Sequence, residues 1–433
     1  MQYIPNILFL ILLIIGAGFF IKNSKKIIRN IKLGHKVDAS DHKKERWNNV
    51  IRIALGQSKM VVRPVAGILH IIVYVGFVII NIEVLEIIID GLFGTHRIFS
   101  FLGSLYGFLI GSFEILATLV LVSVCVFWLR RMVIRIPRFW NKEMTAWPKN
   151  DALYILYFEM VLMSLFLIMN AADFHFQAMN SGNVISQFIA PLFSGMDEGT
   201  LHIIERSAWW FHIIGIFVFL NYLYYSKHLH ILLAFPNVYY GSVQPKGKFI
   251  NLESVTNEVK LMMDPNVDPF AAPAEGAEVP AKFGASDVLD LSRTQLLNAY
   301  TCTECGRCTS NCPANQTGKK LSPRKIMMDT RDRLEEVGRN IDANGEFKPD
   351  NKQLLGDYIS HEELWACTTC NACVEACPVS IDPLSIIMDM RQYLVMEKSA
   401  APNELNISMT NIENNGAPWP YNQMDRLNWK DEK

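Results

Sequence analysis

Charge is scarce in this chain. Only 19% of its 433 residues are charged and the formal net charge is -1, which excludes a polybasic nucleic-acid binder. There is no glycine-rich dinucleotide motif and no flavin fingerprint, so no substrate site of a nucleotide-dependent dehydrogenase can be read from it. The first apolar run has no basic residues ahead of it and no small-residue cleavage site. It is therefore expected to stay as a span and not to be removed as a signal. Cysteine is nearly missing from the first three hundred residues: Cys125 stands alone there and reads as a small core residue. The other eight of the nine cysteines fall between Cys302 and Cys377. With half its residues hydrophobic, the chain is too apolar for an ordinary soluble enzyme and too polar to lie wholly in a membrane. A membrane part and a cysteine-rich part follow.

Five apolar stretches can cross a hydrocarbon core of ~30 Å, which takes about 20 helical residues. They lie near 5–21, 64–89, 104–129, 151–170 and 207–226, the last running on toward Ile231–Phe235. Segment 22–63 holds twelve Lys/Arg and loop 130–150 holds six, against Arg97 and Arg206 in the opposing loops. This bias puts the N-terminus outside and the cysteine-rich part in the cytoplasm, in an inner-membrane multi-pass protein. In a reducing compartment eight cysteines are expected to be metal ligands and not disulfides.

Histidines in such spans need a partner or a metal. His70 lies in the second span, His212 near the outer end of the fifth, and His228 and His230 at its inner end. Eighteen residues between His212 and His230 make five helical turns, roughly 27 Å, on one face of a continuous helix. His228 points the other way. Neutral imidazole is a common iron ligand and b-type haem needs no covalent motif, so this set is a candidate for haem ligation. Hydrogen bonding to neighbouring helices is the plainer reading of each alone. Glu83, Glu86, Glu114 and Glu159 also lie in spans. Intramembrane carboxylates are candidate proton relays, Glu86 first among them, or partners of a histidine, Asn or carbonyl.

Residues 264–282 are rich in Pro, Ala and acids without helical period and read as a linker. A short helix over Ser286–Tyr300 then leads into Cys302-x2-Cys305-x2-Cys308-x3-Cys312-Pro313. That run recurs as Cys367-x2-Cys370-x2-Cys373-x3-Cys377-Pro378. Each is the bacterial ferredoxin run, whose fourth cysteine ligates the other cluster. Cys302, Cys305, Cys308 and Cys377 are expected to hold one [4Fe-4S] cluster, and Cys367, Cys370, Cys373 and Cys312 the other. Zinc would call for paired cysteines at two ends of a finger. Pro323-x2-Ile326-x-Met328-Asp329-x-Arg331-x2-Leu334 matches Pro383-x2-Ile386-x-Met388-Asp389-x-Arg391-x2-Leu394 sixty residues on. Each copy reads as a helix with Pro in its first turn. The cysteine runs repeat at sixty-five, so five extra residues sit in the first copy near Gln316–Lys320. Trp419 and Trp429 mark a polar tail that docks on a partner or on its own chain.

Motif, turn and helix, twice over, resembles the alpha-helical ferredoxin domain of the small iron–sulfur subunits of heterodisulfide reductase and anaerobic glycerol-phosphate dehydrogenase. The five spans, the basic residue before His70 and the histidine pair eighteen apart resemble the nitrate reductase gamma subunit and the membrane subunit of heterodisulfide reductase. That resemblance implies that His70 pairs with His230 on one haem b. The family's second ligand in span two falls on Ile80, so one haem is expected. A second, on His212 with an outer-loop histidine (His96, His175 or His202), stays open, and His228 is a secondary ligand candidate.

The expected fold is all-α: a five-span bundle (1–235), a linker (236–285), an alpha-helical ferredoxin domain (286–398) and an extended tail (399–433). The fused arrangement resembles membrane electron-transfer-flavoprotein:menaquinone reductases. It implies an electron-transfer subunit between a cytoplasmic redox partner and the quinone pool, menaquinone being the expected quinone. The partner would be a cysteine-rich chain like the B subunit of heterodisulfide reductase, or a flavoprotein such as electron-transfer flavoprotein. The substrate-oxidising site would then lie on that partner. The same wiring serving a lactate or glycerol-phosphate dehydrogenase, and a cluster-based membrane redox sensor, are the alternatives.

Overall fold

The computed structural model describes residues 3–245, 247–249, 251, 253–265 and 282–431. Among these, all regular structure is helical, and β pairing is confined to two isolated bridges, His35 with Ser292 and Leu355 with Ile359.

Four of the expected spans fall within long helices, Ile4–Lys32, Pro64–Phe93, Ser104–Met132 and Trp147–Ala172, while the fifth helix, Glu198–Tyr222, stops short of the expected end at 226. At 1.5 Å per residue, lengths of 25 to 30 residues exceed a ~30 Å core, so the helix ends project beyond it. Proline opens the first, second and fourth helices, where its missing N–H costs nothing. The helices close a ring in which the first touches the second and fifth, and second to fifth touch in order. Small residues permit this closeness. A Cβ on Gly91 would stand 2.6 Å from the Phe9 ring, and one on Gly76 would stand 2.5 Å from Val120. The outside of the ring exposes Ile7, Ile11, Ile14, Phe77, Phe108 and Val161, a face suited to lipid and not to water.

The fifth span does not run on to His230. Its α-helix ends at Tyr222 and two 3₁₀ turns follow, with an extended Ser226 between them (φ -111°, ψ 145°). A new helix, His230–Tyr240, begins at the histidine itself. The break has a local cause. Ser226 Oγ accepts from the His228 N–H, and Asp151 accepts both the Lys227 N–H (3.1 Å) and the Tyr222 hydroxyl (2.6 Å). These bonds replace the helical ones. His212 and His230 therefore do not share one straight helix face.

Helix His230–Tyr240 crosses the expected boundary at 235 and packs against Val50–Leu55 and Arg293–Thr301. The linker is partly helical, over Glu253–Met263; most of its Pro- and Ala-rich stretch, 266–281, lies outside the described residues. The short helix before the first cysteine starts at Arg293, because Ser292 and Gln295 form a capping box there. The repeat helices are Pro323–Asn344 and Pro383–Gln392, capped by Ser322 and Asp382. The extra length of the first copy is the turn Pro313–Gln316 with the loop to Leu321. The tail is not extended throughout. Asn403–Asn415 is a helix closed by left-handed Gly416, since nothing in that stretch breaks it. Trp419 and Trp429 beyond it are exposed.

One hydrophobic core joins the two parts. Ile27 from the first span, Leu223 and Leu229 from the end of the fifth, and Leu296, Ile326, Leu364 and Ile387 from the cysteine-rich part belong to the same buried cluster.

Candidate redox sites

Both cysteine loops bend in the same way. Glu304 and Gly306 have φ of +54° and +70°, and the residues sixty-five further on, Thr369 and Asn371, have +56° and +59°. Alternating handedness makes a concave loop whose N–H groups point inward. Two hollows result. The first is lined by Cys302, Cys305, Cys308 and Cys377, the second by Cys312, Cys367, Cys370 and Cys373. The fourth cysteine of each run thus lies with the first three of the other. Cys373 lines both, so the hollows are neighbours.

Burial pushes the thiols of Cys302 and Cys373 up to about 12 and that of Cys377 to about 11. Such thiols stay protonated on their own and release protons to a metal. Four sulfur donors about each hollow suit iron–sulfur chemistry, and the residues present fit a [4Fe-4S] cluster at each. The Thr369 N–H points at Cys367 Sγ (3.4 Å) and the Ile381 N–H at Cys377 Sγ (3.3 Å), contacts that tune cluster potential. The repeated arginines reach back to these loops: Arg331 donates to Glu304 (2.8 Å) and Arg391 to the Cys367 carbonyl (2.6 Å).

The two hollows differ in surroundings. Cys370 is exposed, whereas Cys302, Cys312 and Cys373 are buried. The first hollow rests on the basic-loop ends of the spans. Arg307 donates to the Lys59 carbonyl (3.1 Å), and Arg63 to Ser310 Oγ (2.9 Å). The fully buried Arg324 donates to the Arg138 carbonyl and to Glu143, each at 2.7 Å.

Just across that interface lie three histidines. The rings of His70 and His230 are 6.4 Å apart between centroids, tilted by 40°. Two imidazoles each about 2 Å from one metal ion, on opposite sides, would have centroids about 6 Å apart. The His230 Nδ1 is 3.1 Å from the Lys227 carbonyl. A carbonyl can only accept, so Nδ1 carries the proton and Nε2 keeps its lone pair, as in a metal-ligating histidine. His70 Nδ1 is buried without a partner among the described residues. The residues here fit bis-histidine haem. His228 stands edge-on to His230 (5.3 Å, 89°), with Nε2 3.7 Å from Glu159.

His212 is apart from this group. Its Nδ1 is 3.0 Å from the Leu162 carbonyl and its ring packs on Phe166. The outer-loop histidines are engaged elsewhere: His96 with Asp173 (3.3 Å), His202 with Glu205 (4.0 Å) and His175 with Phe174. Cys125 is half-buried in the third span, as a packing residue would be.

The span carboxylates sort by their partners. Glu114 accepts from Asn170 and from the Ile185 and Ser186 N–H groups, which ties down the loop between the fourth and fifth spans. Glu86 accepts from the Phe99 N–H (2.9 Å) and the Tyr106 hydroxyl (3.1 Å). Tyr106 in turn contacts Arg97, which binds Asp173 and Asn170. Glu83 is buried, and one of its oxygens has no partner among the described residues. Sequence reasoning missed Glu304, Lys227 and Arg324. The only signal for Glu304 was an acid inside a Cys-x2-Cys loop.

Residues 301–381 match the 4Fe-4S dicluster domain family. The whole chain is similar to the probable iron-sulfur-binding oxidoreductase FadF of Bacillus subtilis, at 29% identity over 98% of this chain and 61% of that protein. It is also similar to the EtfAB:quinone oxidoreductase of Syntrophomonas wolfei, at 25% over 94% of this chain and 56% of that one. The cysteine-rich part is similar to one subunit of the ferredoxin/F(420)H(2)-dependent CoB-CoM heterodisulfide reductase of Methanosarcina acetivorans, at 31% over 30% of this chain and 66% of that polypeptide. The chain spans about three fifths of the length of the first two relatives. No solved structure matches it. The chain fits a membrane iron–sulfur oxidoreductase: a helical membrane bundle joined to a dicluster [4Fe-4S] domain.

Proposed function

We propose that this chain carries single electrons between a cytoplasmic redox partner and the quinone pool. Cys302, Cys305, Cys308 and Cys377 hold one [4Fe-4S] cluster, Cys312, Cys367, Cys370 and Cys373 the other, and His70 with His230 a haem b. Clusters and haem supply one-electron steps, which lets a two-electron donor and a two-electron quinone be joined. The observation that carries the reading is a continuous series of sites. It starts at the solvent-exposed Cys370, passes Cys373, which lines both hollows, and reaches the first hollow, where Cys302 is buried and Cys305, Cys308 and Cys377 are half-buried. From there it crosses the interface to the facing rings of His70 and His230.

Electrons enter at the cluster beside Cys370, where a donor can approach, and leave the dicluster domain at the cluster that faces the spans. His230 keeps Nε2 free for iron by donating Nδ1–H to the Lys227 carbonyl. Protons for the quinone come through the span carboxylates. Glu86, joined by Tyr106 to the outer loop, is the relay, and Glu83 one turn earlier offers an oxygen with no partner among the described residues. EtfAB:quinone oxidoreductase as the name of a relative favours an electron-transferring flavoprotein as the donor.

The test is haem, iron and sulfide content of the anaerobically purified protein with a reduced-minus-oxidised spectrum, in parent, His70→Ala and Cys302→Ser forms. The parent should carry about eight cluster irons and one low-spin b-haem. His70→Ala should lose the haem and keep the clusters, and Cys302→Ser should do the reverse for one cluster. Haem content unchanged in His70→Ala would sink the ligand assignment.

A further inference from the structure

Glu304 sits inside the first cysteine loop, between Cys302 and Cys305, and its carboxylate belongs to a buried ion cluster. It is 3% exposed and pairs with two cations, Arg331 at 2.8 Å and Lys227 in a closer contact. Arg331 belongs to the dicluster domain. Lys227 belongs to the end of the fifth span, is itself 9% exposed, and also donates to the Pro148 carbonyl at the start of the fourth (2.6 Å). Its own N–H is held by Asp151. The same residue offers its carbonyl to His230 Nδ1 at 3.1 Å. One residue thus grips the loop that carries Cys302 and Cys305 with its side chain and orients the His230 ring with its backbone.

We propose that Lys227, through its buried pair with Glu304, is the positioning residue that fixes the first cluster against the His70–His230 haem and makes that cluster the electron exit. This rests on the haem and cluster reading above and adds the residue that joins them. Exposed lysines are tethered poorly, because the ion pair is screened and the side chain loses entropy. A buried pair with both partners hydrogen-bonded has a defined geometry, and specificity of arrangement is what such pairs supply. An electron crossing this contact oxidises the cluster by one unit and reduces the haem iron by one, with no bond made or broken. Its rate depends on the spacing that the pair sets. Among the described residues no buried ion pair ties the corresponding loop of the second hollow, Cys367–Asn371, to the spans, and that loop carries the exposed Cys370.

The test uses the full chain in lipid nanodiscs with dithionite as reductant, comparing parent, Lys227→Met, Lys227→Arg and Cys302→Ser. Haem reduction is followed in stopped flow, and the Cys302→Ser rate gives the direct reduction that bypasses the cluster. Lys227→Met leaves Glu304 paired with Arg331, and Asp151, which loses its 3.8 Å pair with Lys227, keeps the Tyr222 hydroxyl and the backbone N–H at 227. That variant should keep about eight cluster irons and its haem, but haem reduction should slow severalfold, because the spacing that the pair sets is lost. The g-values of the ferric haem should shift, because the acceptor of the His230 N–H moves. Lys227→Arg should restore most of the rate. Glu304→Gln, keeping the shape of the side chain, should slow haem reduction in the same way. If Lys227→Met retains haem and clusters and reduces at the parental rate with unchanged g-values, the positioning role is overturned while the electron-carrier reading stands. If the parent itself has no haem, both are overturned.

Discussion

Replacing Cys377 by serine separates crossed from uncrossed ligation. Cys377 follows Cys367, Cys370 and Cys373 in sequence, but it lines the hollow of Cys302, Cys305 and Cys308. A ligand set read from chain order alone would assign its loss to the cluster of its own run. The structure gives the opposite expectation: Cys377→Ser should resemble Cys305→Ser, and Cys312→Ser should resemble Cys370→Ser. Serine keeps the N–H bond that Ile381 makes to the side chain (3.3 Å to Cys377 Sγ), so the loop should not collapse for want of it. Each variant should fall from about eight irons to about four, or convert one cluster while leaving the other. The assay is iron and sulfide analysis with the electron-paramagnetic-resonance spectrum of the reduced protein, in which Cys305→Ser and Cys370→Ser define the two signals. The functional readout should divide in the same way. Cys377→Ser, like Cys305→Ser, should lose the cluster that faces the spans and with it fast haem reduction. A Cys377→Ser protein that lost the signal defined by Cys370→Ser would refute the crossed arrangement.

Two further predictions concern the dicluster domain itself. Arg333 is fully buried and paired with Asp287 (2.8 Å) and Asp350 (2.6 Å). Asp287→Ala should therefore cost about 3 kcal/mol, toward the low end for a broken buried pair because Asp350 remains. Chemical denaturation followed by cluster absorbance measures it, and a change below about 1 kcal/mol would count against the argument. Asp389 accepts from Gln295 (2.6 Å), and burial pushes its carboxyl up to about 6. An unfolded aspartate titrates near 3.9, so between about pH 4 and 6 the folded state holds the extra proton, and stability falls as pH rises. Asp389→Asn should remove that slope and gain up to roughly 3 kcal/mol above pH 6, less whatever the altered bond to Gln295 costs. Melting temperature against pH should show the gap between parent and variant widening from pH 4 to 6; parallel curves would contradict the shift.

How legible the molecule was differs by element. The five spans could be read because hydrocarbon demands long uninterrupted apolar helices; their protruding ends were left out, and the fifth was carried past its end at Tyr222. The paired cysteine runs and the repeat helices could be read because ligand spacing and Pro-led helix starts are local. The crossed fourth cysteine was expected from the motif, and the lining of the two hollows agrees with it. The break after Tyr222 was not legible. Counting residues along a helix presumes it continues, and what stops it is Asp151, seventy-six positions earlier, accepting the Lys227 N–H.

The sequence by itself determined the all-helical class, the division into spans and cysteine runs, and the short list of residues able to hold iron. All of these follow from neighbours in the chain, where period and spacing act. Only the tertiary structure decided that His70 faces His230 while His212 turns to Leu162, that Cys370 opens to solvent while the first hollow lies against the spans, and that Lys227 meets Glu304. Those outcomes depend on which surfaces pack together. Burial of Ile27, Leu223 and Leu229 in one core with the dicluster domain brings the parts into contact, and the energy of that packing belongs to no single segment.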